Sequence, residues 1–320
     1  MITRHQLRIK CLQAVYAFFQ NPTVKLPAAE KNFLKNINEI YDLYIYILSA
    51  LIEVKRWKEK KNEENKQKLL PTAEDLNPNL NFVNNRLIHQ FENNQDLKSK
   101  ISALSINWAE EQPLFRSLYN GLQETEAFEQ YMNNETNTYN QDKALVRNEL
   151  LNVLSNSEWL KSVLAEINIS WEEDFDIAIM MTDLTIKQWS KNKSELQPLP
   201  PLFKDANKTE KSEDLEFAIQ LFRNSILHNQ EFEEIIKNNL INWEIERIAL
   251  IDMIIIKMAL AELLHIDSVP IKVTLNEAIE IAKEYGTDNS KQFINGILDK
   301  IIGELLKEGK INKTGRGLIN

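Results

Sequence analysis

The sequence predicts an all-α protein, and three observations support this fold class. Apolar residues recur at intervals of three and four along most of the 320-residue chain, which is the period of an amphipathic helix. The chain has only seven glycines and nine prolines, and only Gly121 precedes Gly286, so the turns that β-hairpins require are scarce. The last third also contains residue types that begin and end helices. We therefore expect a bundle of helices.

The composition also excludes several functional classes. Hydrophobic residues make up 43% of the chain and charged residues 27%, as in a globular protein with a substantial core. The sequence contains no glycine-rich loop that could cradle a nucleotide phosphate. The single cysteine, Cys11, has no partner for an internal disulfide, and the four histidines lack the spacing of a metal site. We therefore expect no metal, no cofactor and no catalytic activity.

Residues 4–20 form the first predicted element, an amphipathic helix. Its apolar face is lined by Leu7, Cys11, Ala14, Val15 and Phe18. Cys11 is therefore expected to be a small core residue. Arg4 and Arg8 lie one turn apart on nearly the same side, so the first turns are expected to project beyond the core. Gln13 interrupts the apolar run and no cleavage site follows, which argues against a signal peptide and for a cytoplasmic protein.

Charge is distributed unevenly along the chain. The net charge is -9, yet residues 1–29 contain four basic residues and no acid, so they carry +4 and the remainder carries -13. These basic residues are Arg4, Arg8, Lys10 and Lys25. An acidic body with a basic arm favours local rather than global attraction to phosphate. A solvated helix start would explain the same cations without any function.

Residues 21–190 are predicted to form a helical region, which begins where prolines end the first helix. The strongest helical pattern, at residues 37–51, weakens into a charged run. Shorter helices are expected at residues 79–93, 97–108, 113–131, 143–154, 159–167 and 171–189. Residues 191–213 contain three prolines and are expected to be a flexible linker.

A helix that is apolar on nearly all sides is predicted at residues 248–264. Its charges, Asp252, Lys257 and Glu262, are spaced five residues apart and therefore point in different directions around the helix. Such a helix is buried by neighbours on every side, whereas a membrane span needs about 18 or more apolar residues with few charges. We interpret this segment as the central helix of the core.

Two more helices are predicted after the central one. Thr274 and Glu277 have the spacing of a capping box, which predicts that a helix begins at Thr274. Gly286 is expected to end that helix in a left-handed conformation. A last helix is expected to start beside Ser290, and residues 310–320 are expected to form a loose, weakly basic tail.

Three ordered strings fill this last third: WEIERIALIDMIIIKMALAELL, VPIKVTLNEAIEIAKEYG and NSKQFINGILDKI. Together they closely resemble the C-terminal half of NusB, a family of bacterial transcription antitermination factors. A weaker resemblance reaches back to about Asp214, and RIKCLQAVYAF resembles the first helix of the family. The resemblance implies a NusB-like helical bundle in which residues 1–20 are the first helix, residues 21–190 are an insertion and residues 214–309 are the C-terminal core. It also implies that the apolar face of the first helix packs against the central helix at residues 248–264.

The resemblance also implies a function. NusB proteins bind the boxA element of ribosomal RNA leader transcripts together with the ribosomal protein NusE, and the pair helps RNA polymerase to read through terminators. The implied partners are single-stranded boxA-like RNA, NusE and the transcription elongation complex, with no membrane contact and no reaction catalysed. The sequence leaves open whether the protein forms a homodimer.

Candidate binding residues follow from the same resemblance. The family carries an arginine-rich RNA-binding segment on its first helix, and this chain has fewer arginines there. The candidate RNA contacts are Arg4, His5, Arg8, Lys10, Lys291 and Phe293. The candidate NusE contacts are Tyr16, Glu246 and Asp252. The spacing of Phe293 to Ile297 and Ile301 equally fits a core residue.

Two other functions stay open on the sequence alone. One is an all-α scaffold for protein partners that has lost RNA binding, which the small number of arginines in the first helix favours. The other is an accessory domain related to rRNA cytosine methyltransferases. Their catalytic domain needs a glycine-rich cofactor loop and a reactive cysteine that this sequence lacks. Binding to boxA-like RNA, measured with and without NusE, discriminates between these functions and antitermination.

Overall fold

The computed structural model describes residues 1–203, 212–240 and 247–318. Within these ranges the regular structure is helical and contains no strand, which confirms the predicted all-α class. None of the described helices has the length and apolar character that a membrane span requires. The α-helices are α1 Arg4–Gln20, α2 Leu26–Lys66, α3 Ala73–Leu76, α4 Arg86–Asn93, α5 Gln95–Ala103, α6 Gln112–Gln123, α7 Glu126–Asn133, α8 Tyr139–Ala144, α9 Leu151–Ser155, α10 Glu158–Ile167, α11 Trp171–Gln188, α12 Glu213–Leu227, α13 Asn229–Asn239, α14 Leu250–His265, α15 Ile271–Tyr285 and α16 Ser290–Lys307. A π-helical segment, Leu145–Leu150, joins α8 to α9, and a 3-10 turn spans Gly315–Leu318.

The chain divides into two compact units. The first is Asn38–Leu202 together with Met1, and the second is Ile2–Ile37 together with Phe203–Asn320. The first unit therefore begins within α2, whereas the sequence suggests a division immediately after α1. The assignment of residues 21–190 as an insertion stays a prediction.

In the first unit, α2 is continuous through an apolar and a charged segment. Its buried side chains include Ile40, Leu43, Tyr44, Ile47, Leu48 and Leu51. The hydroxyl of Tyr44 lies 2.8 Å from that of Thr185, which ties α2 to α11. The charged segment, where the sequence pattern weakens, stays helical to Lys66, with ion pairs such as Lys61 with Glu64 at 3.1 Å along its surface.

In the second unit, α14 is the central helix, and α1, α12, α13, α15 and α16 pack around it. Every residue from Asp252 to Leu263 is buried, as predicted for a helix that is apolar on all sides. Leu7 and Cys11 of α1 are fully buried, and α1 contacts both α12 and α14. The predicted packing of the first helix on the central helix is therefore confirmed. Burial also raises the pKa of the Cys11 thiol, as expected for a core cysteine rather than a nucleophile.

The three buried charges of α14 are all bonded to neighbouring helices. Asp252 Oδ2 accepts a hydrogen bond of 2.9 Å from Ser290 of α16. Lys257 Nζ donates to Asn229 and Glu233 of α13, at 2.5 and 2.6 Å. Lys257 is thus a buried charge that is paired and hydrogen-bonded, and the bonds of both side chains connect α13 and α16 to the central helix.

The helix α15 begins earlier than the sequence predicts. Its first residue is Ile271, and the carbonyl oxygen of Pro270 accepts a hydrogen bond of 3.1 Å from the backbone N–H of Thr274. Thr274 does not cap the helix, because its hydroxyl donates instead to Glu262 of α14, at 2.6 Å. The predicted capping box is therefore wrong. The Thr-x-x-Glu spacing here places two polar side chains on one face of a helix interior.

Gly286 ends α15 as predicted, but its backbone is not left-handed, since φ is -90°. A Cβ at this position would lie 2.5 Å from Ser290 Cβ and 2.6 Å from the carbonyl oxygen of Ala282. Glycine is needed because the chain passes close to the start of α16. There, Ser290 Oγ accepts a hydrogen bond of 2.8 Å from the backbone N–H of Thr287 and donates to Asp252. The tight turn thus holds the hydroxyl that bonds one oxygen of a buried carboxylate, whose other oxygen, Asp252 Oδ1, has no hydrogen-bond partner among the described residues.

Candidate nucleic-acid interface

A capping box fixes the first turn of α1, the helix that contains four of the six candidate RNA contacts. Thr3 Oγ1 accepts a hydrogen bond of 3.3 Å from the backbone N–H of Gln6, and Gln6 Oε1 accepts one of 2.8 Å from the backbone N–H of Thr3. The Thr-x-x-Gln spacing is visible in the sequence and is the signal by which this helix start can be found. The direction of the helix axis in turn decides where the basic side chains point.

Arg8 lies inside the core rather than on its surface. Only 4% of the residue is exposed, and its guanidinium donates to both carboxylate oxygens of Glu262, at 2.8 and 2.9 Å. A carboxylate oxygen of Glu277 lies 3.7 Å from Arg8 Nη1, and the centre of the Phe217 ring lies 4.9 Å from the guanidinium carbon of Arg8. The expectation that the first turns project beyond the core is therefore wrong for Arg8. The bidentate pair with Glu262 makes the burial of the charge possible.

Arg4 and His5 remain partly exposed, but each contacts an acid. Arg4 Nε donates to Asp214 Oδ1 at 2.8 Å, and 27% of the Arg4 side chain is exposed. His5 Nδ1 lies 2.7 Å from Glu277 Oε2. Lys10 is buried, which also departs from the expected projecting arm. Residues 1–29 contain no acid of their own, but acidic side chains of α12 and α15 pair with Arg4 and His5 in the fold.

Lys291 and His5 both act electrostatically on one carboxyl group of α15. A hydrogen bond of 2.5 Å from Lys283 lowers the pKa of Glu280, an exposed carboxyl of α15, and the charges of Lys291 and His5 lower it further. Both candidate RNA contacts are therefore within electrostatic range of one carboxylate, although they are far apart in sequence. Phe293 is half-buried in the first turn of α16, close to Lys291 along the chain.

The candidate NusE contacts have different environments. Tyr16 is 39% exposed on α1. Asp252 is buried and bonded to Ser290, so it supports the packing of α16. Glu246 lies outside the described residues. Of the two candidates that the structure describes, only Tyr16 is accessible to a partner.

Two histidines that show no ligand spacing along the sequence meet in the fold. His228 follows α12 and His265 ends α14, and their rings stack with centroids 4.0 Å apart and planes 24° apart. Glu231 of α13 places a carboxylate oxygen 2.9 Å from His228 Nδ1. Sequence spacing does not reveal this cluster, because the two histidines lie at the ends of different helices.

Comparison with known proteins identifies the family that these helices form. The family model described as the NusB family matches residues 175–303. The transcription antitermination protein NusB of Geobacter sulfurreducens is 42% identical over 115 residues, which are 36% of this chain and 83% of that protein. This chain belongs to the NusB family.

Other NusB proteins are matched over a smaller share of their length. The transcription antitermination protein NusB of Salinibacter ruber is 50% identical over 104 residues, or 32% of this chain, and that of Chloroherpeton thalassium is 47% identical over 98 residues, or 30%. The chain spans 65% and 46% of the lengths of these two relatives. A solved structure of T. maritima NusB is 35% identical and covers 32% of this chain and 70% of that one, with a TM-score of 0.28. The NusB family match begins within α11, earlier than the resemblance that the sequence alone shows from about Asp214.

Proposed function

We propose that this protein is an RNA-binding transcription antitermination factor that binds boxA-type leader RNA together with the ribosomal protein NusE and so modifies elongation by RNA polymerase. The three relatives described above carry the name transcription antitermination protein. The observation that carries the RNA-binding proposal is the surface at the starts of α1 and α16, where Arg4 and His5 are partly exposed and Lys291 is exposed. The function is one of binding and includes no chemical reaction.

RNA binding at this surface uses few phosphate contacts. Arg8 is held by Glu262 and does not reach a phosphate unless a buried ion pair breaks. Arg4 and His5 are partly exposed and can exchange their acidic partners for phosphate oxygens. Lys291 is exposed in the first turn of α16, where backbone N–H groups favour anions. Two or three contacts to single-stranded RNA give a slope of log affinity against log salt of roughly -1.4 to -2, at about -0.7 per contact.

Such binding is weak when the protein acts alone, because nearby acids repel phosphate. Asp214, Glu277 and Glu280 all lie beside the proposed RNA contacts. A basic partner would reduce this repulsion of phosphate. The part of the chain outside residues 1–29 carries a net charge of -13 and attracts a basic ribosomal protein. Tyr16, an exposed aromatic side chain with a polar tip, suits the centre of that protein interface.

Fluorescence anisotropy with boxA-type RNA, with and without NusE, tests the RNA site. The double variant Arg4→Gln with Lys291→Gln should weaken binding and make the salt slope shallower by roughly 1.4, because it removes two phosphate contacts. Lys187→Gln with Lys191→Gln removes the same charge from exposed positions of the first unit and should change neither quantity. If the Arg4 and Lys291 variant keeps the wild-type affinity and slope, this surface is not the RNA site.

The NusE contact is tested separately at Tyr16. Tyr16→Asp should weaken NusE binding in a calorimetric titration and leave thermal unfolding unchanged, because the side chain is exposed. Tyr16→Phe keeps the ring and should retain most of the affinity. Equal binding by wild type and Tyr16→Asp would remove Tyr16 from the interface.

The second candidate function is a protein scaffold without RNA binding. The observation that favours it is the pairing of Arg4, His5 and Arg8 with acids of this same chain. A wild-type protein that binds no boxA-type RNA even in the presence of NusE would support the scaffold and contradict the antitermination proposal.

A further inference from the structure

Three side chains that can bind a metal ion meet where α12, α13 and α14 adjoin. His228 follows the last residue of α12, Glu231 stands in the first turn of α13, and His265 is the last residue of α14. One ligand atom from each of them lies within 4.8 Å of the other two. The cluster belongs to the second unit and includes none of the residues proposed above for RNA or NusE binding.

His265 is in a suitable state to donate an electron pair. Its Nε2 atom is buried and has no hydrogen-bond partner among the described residues. A buried nitrogen without a partner is uncommon and calls for an explanation. Burial lowers the pKa of the His265 imidazole and the neighbouring His228 lowers it further, which favours the neutral form that binds metals.

Several charges at this junction act on a bound cation. The helices α12 and α14 both end here, so their last carbonyl groups contribute partial negative charge. The carboxylates of Glu231 and Asp267 add full negative charge close to His265. The positive charge of Lys313 opposes them, and it is held near the end of α14 because Lys313 Nζ donates to two backbone carbonyl oxygens there. Because these charges partly cancel, the junction favours a cation that also forms coordination bonds with imidazole nitrogens.

We propose that His228, Glu231 and His265 form a binding site for a divalent transition-metal ion such as Zn²⁺. Two imidazoles and one carboxylate suit Zn²⁺, Ni²⁺ and Cu²⁺, whereas Mg²⁺ and Ca²⁺ prefer sets of oxygen ligands. Three protein ligands leave a position for water in a tetrahedral site. A bound ion would link α12, α13 and α14 at one point.

Metal binding requires the His228 ring to leave its stack on His265. Stacked rings direct their in-plane electron pairs along nearly parallel planes, so the two nitrogens do not converge on one ion. Ligand atoms around a tetrahedral Zn²⁺ lie about 3.3 Å apart, given bonds of about 2.0 Å, whereas the present ligand atoms lie within 4.8 Å of one another, so the cluster must contract slightly around an ion. His228 is half-buried and Glu231 is exposed, so both side chains can rotate toward His265 without moving a helix. Metal binding thus replaces the stacking contact between His228 and His265 with coordination bonds to the ion.

Calorimetric titration of the untagged, EDTA-treated chain with ZnCl₂ tests the proposal, with one ion expected per chain. His265→Ala should weaken Zn²⁺ binding by about tenfold or more, because the loss of even an outer-shell partner of a ligand costs about this much. Glu231→Gln keeps a hydrogen-bonding group at an exposed position and should weaken binding in the same direction. This second variant decides the result if circular dichroism shows that His265→Ala does not fold.

His89→Ala is the matched control, because His89 is an exposed histidine of the first unit, outside the cluster. Zn²⁺ should raise the midpoint of thermal unfolding of the wild type and of His89→Ala, since an ion that binds the folded chain stabilises it. It should raise the midpoint of Glu231→Gln less. Lack of Zn²⁺ binding by the folded wild type, or equal affinity in the wild type and both cluster variants, would overturn the proposal.

Discussion

Replacing Arg8 with methionine should destabilise the second unit strongly. Methionine keeps an unbranched apolar stem but removes the guanidinium that donates to both oxygens of Glu262. Glu262 is 2% exposed, so the substitution leaves a buried carboxylate whose remaining side-chain donor among the described residues is the hydroxyl of Thr274. Breaking a buried ion pair by removing one member costs about 3–5 kcal/mol. Because whole domains are stable by only about 5–15 kcal/mol, this change removes a large part of the folding free energy.

Equilibrium unfolding in urea, followed by circular dichroism, measures this loss. With a dependence on urea of about 1–3 kcal/mol per molar, the unfolding midpoint should fall by at least about 1 M. Hydrogen exchange should show that the loss of protection is concentrated in α1 and α14, the two helices that the ion pair joins.

Two controls separate the ion pair from its surroundings. Arg8→Met with Glu262→Leu removes both charges and should recover most of the lost stability, because replacing a buried pair by apolar residues is often neutral or stabilising. Arg4→Met breaks the partly exposed pair with Asp214 and should cost only about 0–1 kcal/mol. An Arg8→Met variant as stable as the wild type would refute the assignment of Arg8 to the core.

Three further changes probe the second unit. Ile255→Asp buries an unpaired charge in α14 and should cost more than about 4 kcal/mol; unchanged thermal unfolding would contradict the central position of this helix. Gly286→Ala should cost about 1–3 kcal/mol in urea titrations, because the added Cβ meets Ser290 at 2.5 Å. At Gly296 an added Cβ meets nothing within 4 Å, so Gly296→Ala should be neutral or stabilising, and an equal loss at both glycines would rule out the steric explanation. Stability should fall as the pH drops below 6.5, because the pKa of His265 is lower in the folded chain and the unfolded chain therefore binds the proton more readily; His265→Gln should flatten this part of the pH profile.

The sequence by itself determined the fold class, the central helix and the family. Helical periodicity shows which side of each segment is apolar, and in α14 no polar side exists, so burial by neighbours on all sides follows. The long ordered strings of the last third determined the NusB resemblance, and through it the packing of α1 on α14 across the intervening chain. Cys11 was placed in the core by its position on the apolar face alone.

Only the tertiary structure decided what the polar side chains do. Periodicity along one helix carries no information about which charge on a distant helix will face it, and Arg8 is 254 positions from Glu262. Arg8 therefore looks like an exposed basic residue in the sequence and is a buried half of an ion pair in the fold. His228 and His265 meet because α12 and α14 pack together and end at the same place, which no residue near either histidine reveals. Gly286 likewise owes its role to Ser290, a neighbour whose approach depends on how two helices are joined around Asp252.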